Sequence, residues 1–310
     1  IIFGNENNTL ISLLNTSNIP YEVYDIENKT LDINLSFIFT FIINLIRNIS
    51  EVDGVKKYIS NNYHLTKLNL KKPRVVITNI DNNTIFHWLS RKLNSKCIAI
   101  QNGLRTNYEF DSYYDNHIKN YSHDIYCALN DHELLHLKKK GVSINHSLAI
   151  GSLRLGMYLE NRPIMPDIQY DICLISEYFT DVKTKYAEEL KNYIEQVYLS
   201  LSKYIRRNDK SIIIAMNDSD SITQKKYFKK LFPNAKFSNT VKNEYASYDS
   251  ICQSKLTVAF FSTMILETIS LGKKALAIDY SDSDTYFDYD DSIKFTKGTI
   301  CHLREVLTKF

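Results

Sequence analysis

The sequence has few cysteines, and none of them forms a close pair with another. The five residues are Cys97, Cys127, Cys173, Cys252 and Cys301. Their number is odd, their spacing matches no zinc-binding pattern, and three of them lie in apolar, strand-like runs. We therefore expect buried free thiols rather than disulfides, which fits a reducing cytoplasm.

The chain also lacks an apolar run that is long enough to cross a membrane. Its longest run, Leu35–Ile46, is shorter than the roughly 20 residues that a membrane-spanning helix needs. We predict a buried helix here. The alternative is a helix that lies on the membrane surface, helped by the basic stretch Lys67–Arg74. Because the chain opens at Ile1 with strand-like residues, we expect no signal peptide, although the true start could lie upstream.

A large excess of charge is absent as well. The sequence has 38 basic and 35 acidic residues, a formal net charge of +3. This balance suits an anionic ligand or a membrane surface but is too weak to indicate nucleic-acid binding. With 310 residues, 44% of them hydrophobic, the chain can bury a sizeable core and form two ordinary domains.

Short apolar runs alternate with helical patterns through most of the chain. One run, Arg74–Thr78, has β-branched residues in succession, as a strand buried on both faces requires. Strands that alternate with helices in this way predict parallel sheets covered on both faces. The segment Met157–Ile168 interrupts the alternation and contains Pro163 and Pro166, so we interpret it as a linker.

We therefore predict an α/β chain with two Rossmann-like domains whose parallel sheets face a central cleft. The predicted domains are residues 1–156 and 169–310, joined by a linker at 157–168. Ligands of such sheets bind beyond the carboxyl ends of the strands. The residues that directly follow each predicted strand are therefore the candidate functional residues.

The clearest candidate is the strand–turn–helix–strand unit Lys255–Asp279. A buried strand leads into Ser262 and Thr263, where a helix begins that Gly272 ends. A serine or threonine at this point caps free backbone N–H groups, and the same groups make a site for phosphate. Glu267 lies about one turn into the helix. On spacing alone, a plain capped turn with a solvated Glu267 fits equally well.

This run resembles the donor-binding element of GT-B glycosyltransferases. The resemblance implies that Ser262 and Thr263 hold the phosphate or diphosphate of the donor, and that Glu267 holds its ribose hydroxyls. Many such enzymes have glycines before the helix, where this sequence has Phe260 and Phe261. Less room is then left for a pyrophosphate, so a CMP-linked donor with one phosphate fits more easily.

A second matching stretch ends at Gly151, Ser152 and Arg154. It contains a helix with a Leu-Leu-x-x-Lys-x-x-Gly-Val pattern and then a strand, an order that resembles the end of the N-terminal domain in GT-B enzymes. The resemblance implies that Ser152 and Arg154 face the cleft and contact the donor. Arg154 would pair with a phosphate, and a structural salt bridge is the alternative for this residue.

The same stretch contains His132-Glu133-Leu134-Leu135-His136, which matches the His-Glu-x-x-His zinc pattern. On a helix, His132 and His136 would share one face. The predicted helix is short, however, and no convincing third ligand follows it. We predict no metal site here and no cofactor for the protein.

The predicted strand Cys97–Ile100 leads into Gln101, Asn102 and Arg105. With the glycine between them, these residues resemble a Gln-x-Gly turn of the transferases that build bacterial capsule and lipopolysaccharide. Gln101 and Asn102 would present amide groups to the reacting sugar, and Arg105 would present a charge to the acceptor. An ordinary polar turn is the alternative.

Carboxylates and polar groups follow three further predicted strands. Asp81 could be the general base that takes a proton from an acceptor hydroxyl, or a helix cap, which we slightly prefer. Ser176 and Glu177 follow the first strand of the second domain, and Asn217 follows the next. We expect them to line the cleft on the donor side, with Glu177 as acid, base or sugar-binding group. The acidic run Asp279–Asp291 is interpreted as a solvated loop, since GT-B enzymes generally lack a catalytic metal.

Taken together, the resemblance implies a cytoplasmic glycosyltransferase. It would move a sugar from a CMP- or UDP-linked donor to a surface glycan or a lipid-linked glycan acceptor, with hexosyl-, sialyl- and Kdo-type transfer all open. Peripheral contact with the inner face of the cytoplasmic membrane is a further expectation, and nucleic acid is not an expected partner. The alternatives are a CDP-glycerol- or ribitol-type polyol-phosphate transferase and, from another class, a non-catalytic nucleotide- or glycan-binding subunit of an assembly complex.

Overall fold

The chain divides into two compact units, Ile1–Met157 and Tyr158–Phe310, and each is described by itself. The computed structural model describes residues 1–4, 8–26, 34–51, 54–104, 122–139, 141–162, 164–177, 185–216, 222–238, 245–260, 262–278 and 293–295.

The first unit contains one six-stranded sheet in which all neighbouring strands are parallel. Its strands are β1 Ile2–Phe3, β2 Val23–Tyr24, β3 Val75–Thr78, β4 Lys96–Ile100, β5 Ser122–Ala128 and β6 Ser143–Ala149. Their order in the sheet is β2-β1-β3-β4-β5-β6, so the direction in which the chain adds strands reverses between β1 and β3. In doubly wound sheets, a crevice opens beyond the carboxyl ends of the two strands at such a reversal.

The helices of this unit alternate with its strands. They are α1 Asn8–Thr16, α2 Leu35–Arg47, α3 Val55–Lys71, α4 Thr84–Ser90, α5 Asp131–Lys139 and α6 Leu153–Asn161, which continues past Met157, with a short 3-10 helix at Ile49–Glu51. The N-cap of α4 is Asn83, whose side-chain oxygen accepts hydrogen bonds from the N–H groups of Ile85 and Phe86 at 2.9 and 3.2 Å. The preference for Asp81 as a helix cap is therefore wrong.

The second unit also contains one six-stranded, all-parallel sheet. Its strands are β7 Tyr170–Ile175, β8 Ile212–Ala215, β9 Lys236–Phe237, β10 Ser254–Ala259, β11 Lys274–Ile278 and β12 Ile293–Phe295. Its further helices are α7 Lys185–Arg207, α8 Ile222–Leu231, α9 Ala246–Cys252 and α10 Met264–Ser270. The order β12-β11-β10-β7-β8-β9 places the reversal between β7 and β10.

Buried apolar strands explain why this second sheet is covered on both faces. All four residues of β8 are buried, as are the last four of β7. Tyr198 of α7 lies wholly within the core, with ring centroids 5.2 Å from Phe228 and 5.6 Å from Phe260. Continuous apolar runs of this kind are typical of parallel strands that pack against helices on each side.

Most of the predicted helices and strands are confirmed, with bounds shifted by a few residues. The sequence analysis missed α3 and β12. Helix α6 also occupies the first part of the segment predicted as a linker, because Leu155, Met157 and Tyr158 are buried and the prolines come later. The predicted domains, 1–156 and 169–310, remain predictions. The division of the chain into compact units falls after Met157.

The run Leu35–Ile46 does form a helix, but the prediction that it is buried is wrong. Phe37 and Asn44 are its buried residues, while most of its isoleucines are exposed. No helix among the described residues has the length and apolar character that crossing a bilayer requires.

The cysteines are free thiols at the four positions that the structure describes. Cys97, Cys173 and Cys252 are buried, and Cys127 is partly buried. Burial raises the pKa of the Cys97 thiol to about 12, so this thiol stays protonated at neutral pH. Cys301 lies outside the described residues.

A buried histidine makes the stability of the first unit depend on pH. His123 is 1% exposed, and its ring centroid lies 4.4 Å from that of His87. Burial lowers the pKa of His123 from 6.5 to about 4, although Asp124 acts in the opposite direction. The unfolded chain therefore takes up a proton below about pH 6.5, and the folded chain takes it up only near pH 4.

We predict that the free energy of unfolding is unaffected by this group above about pH 6.5 and falls by about 3 kcal/mol as the pH drops to 4. Urea denaturation across this range measures the effect. His123→Phe should reduce the pH dependence, and the matched control His146→Phe, at an exposed position, should not. An unchanged pH dependence in His123→Phe would show that other groups cause it.

Candidate functional site

The strand reversal of the second unit brings four predicted site residues to one edge of the sheet. Ser176 and Glu177 directly follow β7, and Ser262 and Thr263 follow β10. The two strands pair in register with Leu174 opposite Val258, so they end at nearly the same level. The crevice expected at this reversal is therefore bordered by one carboxyl and three hydroxyl side chains.

Glu177 is held by its backbone rather than by its carboxylate. Its N–H donates to the Tyr198 hydroxyl at 2.9 Å, and that hydroxyl donates to the Glu177 carbonyl oxygen at 2.8 Å. Burial raises the pKa of the Glu177 carboxyl from 4.5 to about 7. A carboxyl group with this pKa can accept or release a proton near neutral pH, as general acid–base catalysis requires.

Ser176 is buried and fixed from two sides. Its N–H donates to the carbonyl oxygen of Ala215 at 2.9 Å, and its hydroxyl accepts a hydrogen bond from Gln224 Nε2 at 3.1 Å. Gln224 lies on α8 and is itself fully buried. Gln224 therefore orients the hydroxyl of Ser176, a predicted donor-binding residue. The sequence contains no signal that indicates Gln224, because its burial becomes visible only in the structure.

The turn after β10 departs from the predicted capping. Ser262 Oγ accepts a hydrogen bond from the N–H of Met264 at 3.3 Å, but Thr263, at the N-cap position of α10, makes no side-chain capping bond. Phe260 is wholly buried against Tyr198, so its ring belongs to the core. Phe261 lies outside the described residues.

Glu267 is a buried acid, which contradicts the alternative of a solvated side chain. It is 7% exposed, and the Tyr248 hydroxyl donates to its Oε1 at 2.9 Å. Tyr248 lies on α9 and stacks on Tyr158 with ring centroids 5.0 Å apart. The carboxylate is therefore held in one orientation by a core tyrosine that the sequence analysis did not single out.

In the first unit, three predicted residues come together at the ends of β3 and β4. Asp81 is 3% exposed, and its Oδ2 accepts a hydrogen bond from the Tyr126 hydroxyl at 2.7 Å. Its Oδ1 accepts one from the backbone N–H of Asn102 at 3.2 Å. Gln101 is also buried and accepts from the N–H of Leu129 at 3.0 Å. The three residues therefore tie together the ends of three neighbouring strands.

The His-Glu-x-x-His sequence has a structural use here. Glu133 is 4% exposed, and its Oε2 accepts a hydrogen bond from Gln101 Nε2 at 2.6 Å. His132, one residue earlier, is exposed. Among the described residues, no group of three or more His, Cys, Asp or Glu side chains could hold a metal ion. Glu133 instead helps to fix Gln101.

The remaining predicted residues lie at the start of α6 or outside the described residues. Ser152 Oγ accepts from the N–H of Leu155 at 3.2 Å, as a cap of α6 does, and Gly151 before it has a φ of 80°. Arg154 is exposed. Arg105, Asn217 and the acidic run Asp279–Asp291 lie outside the described residues, so their assignments stay predictions.

Comparison with known proteins supports the fold and gives a family. Residues 98–302 match the family described as "putative O-antigen biosynthesis protein". No curated protein sequence matches the chain.

Among solved structures, the UDP-GlcNAc 2-epimerase of Methanocaldococcus jannaschii in complex with UDP-GlcNAc and UDP is 16% identical. The match covers 99% of this chain and 91% of that one, with a TM-score of 0.61. A second structure of this epimerase gives 15% identity, 99% and 90% coverage and a TM-score of 0.55. The Escherichia coli heptosyltransferase WaaC, with ADP-2-deoxy-2-fluoro heptose, is 11% identical over 99% and 98% of the two chains, with a TM-score of 0.47.

The predicted fold class is confirmed: the chain is an α/β protein with two Rossmann-like parallel sheets, of the GT-B kind. The resemblance to bacterial surface-carbohydrate proteins of this fold is confirmed as well. The cleft expected between the sheets stays a prediction.

We predict that Asp81 contributes more to stability than an average surface acid. Asp81→Ala leaves the buried Tyr126 hydroxyl without its acceptor, so the free energy of unfolding should fall by about 2–4 kcal/mol. Tyr126→Phe, which removes one hydrogen bond and leaves the other, should cost about 1 kcal/mol. Urea denaturation measures both, with Asp167→Ala, at an exposed position, as the control. If Asp81→Ala is as stable as the control, the hydrogen bonds of Asp81 do not support the strand ends.

Proposed function

Because the chain belongs to the family described as "putative O-antigen biosynthesis protein", we propose that it is a glycosyltransferase. It moves a sugar from a nucleotide-sugar donor, CMP- or UDP-linked, to a surface glycan or a lipid-linked glycan acceptor. The observation that carries the proposal is the reversal between β7 and β10, where Glu177, with a pKa of about 7, borders the same edge as Ser262 and Thr263.

The donor is proposed to bind the second unit. Ser262 and Thr263 contact its phosphate, and Glu267 contacts its ribose hydroxyls. The buried, tyrosine-held carboxylate of Glu267 supports this role, because a fixed acceptor loses less conformational entropy on binding than a mobile one. Further donor contacts are proposed for Ser176 and Asn217, and for Ser152 and Arg154 of the first unit.

The acceptor is proposed to bind through Gln101, Asn102 and Arg105. The proposed base is Glu177 in preference to Asp81. Both carboxylate oxygens of Asp81 already accept hydrogen bonds within the fold, whereas burial raises the pKa of Glu177 towards neutrality. A base that takes a proton from a hydroxyl must be within hydrogen-bond reach of it and needs a pKa near the working pH, whereas Asp81 is only 3% exposed.

The reaction is proposed to take place in the cytoplasm, with no metal or other cofactor. The protein would be in peripheral contact with the inner face of the membrane, where a lipid-linked acceptor is presented.

A nucleotide-sugar epimerase is the second candidate, because the UDP-GlcNAc 2-epimerase of M. jannaschii has a similar fold. Both candidates bind a nucleotide sugar in the second unit, and their products differ. An epimerase converts the nucleotide sugar without an acceptor, and a transferase releases free nucleotide when an acceptor is present.

We predict that one nucleotide among UDP, CMP, GDP and TDP raises the melting temperature, since a ligand that binds only the folded state stabilises it. Glu267→Gln should weaken this binding by at least about tenfold, as expected for the loss of a charged hydrogen bond of about 1.5–3 kcal/mol. Glu189→Gln, at an exposed position of α7, is the matched control. If all four nucleotides leave the melting temperature unchanged at millimolar concentration, the proposal fails.

We predict that Glu177→Gln lowers the rate constant of transfer by about 10²–10⁴-fold. The rate in the unsubstituted protein should rise with pH through about 7, because the base acts in its ionised form above the pKa of Glu177. That rise should be absent in Glu177→Gln, while Glu188→Gln, at an exposed position, should behave as the unsubstituted protein does. A rise that persists in Glu177→Gln would assign the base to another residue.

A further inference from the structure

Helix α2 is amphipathic in the opposite sense to an ordinary surface helix. Its exposed residues include Leu35, Ile38, Phe39, Ile42, Ile43 and Ile46, which are between 43% and 74% exposed. Spacings of three and four residues place them along one side of the helix. Surface helices normally turn such a side towards the core, so this outward apolar side needs an explanation.

The inward side of α2 carries the apolar Phe37 and the amide Asn44, and the C-cap residue Asn48 adds a second amide. Asn44 and Asn48 are 6% and 5% exposed. Asn44 Nδ2 donates to Thr66 Oγ1 at 3.0 Å, and Asn48 Nδ2 donates to Asn62 Oδ1 at 2.8 Å. These bonds join α2 to α3 and leave the buried polar groups paired. They also fix the rotation of α2 about its axis, so the apolar side cannot turn inward without breaking them.

Exposed apolar residues also occur directly after α2 and at the start of α3. Ile49 follows it in the chain and is 68% exposed, and Val55 and Ile59 of α3 are 67% and 48% exposed. We call these nine residues the α2–α3 apolar surface: Leu35, Ile38, Phe39, Ile42, Ile43, Ile46, Ile49, Val55 and Ile59. This many exposed apolar side chains, six of them along one side of a helix, indicate a binding site rather than random exposure.

The charges around this surface are mostly positive. Residues 34–72 contain six Lys or Arg and two Asp or Glu, a net charge of +4. Arg47 at the end of α2, and Lys56 and Lys57 at the start of α3, are exposed. Two copies of this surface packed together would bring like charges close to one another, which disfavours a second copy as the partner.

We infer that the α2–α3 apolar surface docks on a lipid bilayer that contains anionic phospholipids. An exposed apolar stripe flanked by lysine and arginine is the pattern of a helix that lies in the interface of a membrane. With 13 residues, α2 is about 20 Å long, too short to cross a hydrocarbon core of about 30 Å. It therefore lies along the surface, with Arg47, Lys56 and Lys57 at the level of the phosphates. The inference deepens the membrane contact of the proposed function but rests on exposure and charge, not on catalysis.

The test is co-sedimentation of the whole protein with vesicles of phosphatidylcholine, alone or mixed with phosphatidylglycerol. We expect binding to the mixed vesicles that weakens as salt is added, and little binding to phosphatidylcholine alone. Phe39→Asp with Ile46→Asp should reduce binding by at least about tenfold, since each side chain loses most of its burial in the bilayer. Ile222→Asp, at a residue 73% exposed on α8, is the control.

A second pair of variants tests the charges. Each lysine near an anionic surface strengthens binding by about fivefold. Lys56→Glu with Lys57→Glu should therefore reduce binding to the mixed vesicles by about 25-fold or more. Lys229→Glu with Lys230→Glu, which makes the same change at two exposed lysines of α8, is the matched control. The melting temperature of each variant shows whether it folds, and hydrogen exchange along α2 of the unsubstituted protein with vesicles gives a measurement that needs no variant.

Three results would overturn the inference. One is no binding to either kind of vesicle. Another is binding that is undiminished by Phe39→Asp with Ile46→Asp. The third is a protein that does not bind vesicles and instead forms a dimer in analytical ultracentrifugation, with the dimer abolished by the same two substitutions. Nucleotide binding to the second unit is measured on the same samples, so failure of membrane docking is distinguishable from failure of the proposed transferase activity.

Discussion

In both sheets, every strand pair that the structure describes is parallel. Parallel neighbours need a crossover through a helix, so all strands of a sheet end at the same edge. At that edge the backbone leaves the ladder, and its polar groups need partners from side chains. Asp81 and Gln101 provide such partners in the first unit, and Ser262 does so in the second. The residues that could act on a ligand are therefore drawn from a set that the fold must supply anyway.

Two carboxylates at comparable strand ends differ because their surroundings differ. Asp81 gives both oxygens to hydrogen bonds with Tyr126 and Asn102, which fixes it as part of the fold. Tyr198 fixes Glu177 through its backbone N–H and carbonyl groups. Burial disfavours the ionised form of the Glu177 carboxyl group and so raises its pKa. The same functional group at the same kind of position thus serves stability in one unit and is suited to proton transfer in the other.

Local pattern was sufficient to predict the fold class, since alternation of apolar strands and helices is a short-range property of the sequence. It was sufficient for the positions of Ser176, Glu177, Ser262 and Thr263 as well, because these follow directly from where strands end. It could not reveal partners distant in the chain: Tyr126 lies 45 residues from Asp81, and Tyr248 lies 19 from Glu267. The local pattern also could not show which side of α2 is buried, because a run that is apolar on nearly all sides predicts a buried helix whatever its orientation.

The orientation of α2 makes the free energy of folding depend on what covers its apolar side. In water, the apolar side of α2 contributes less to the free energy of folding than a buried side would, because its side chains stay 43–74% exposed. Its transfer free energy becomes available only when something covers it, and by mass action it then adds to the free energy of folding. For the docking proposed above, the free energy that would hold the protein on the bilayer would also stabilise its first unit.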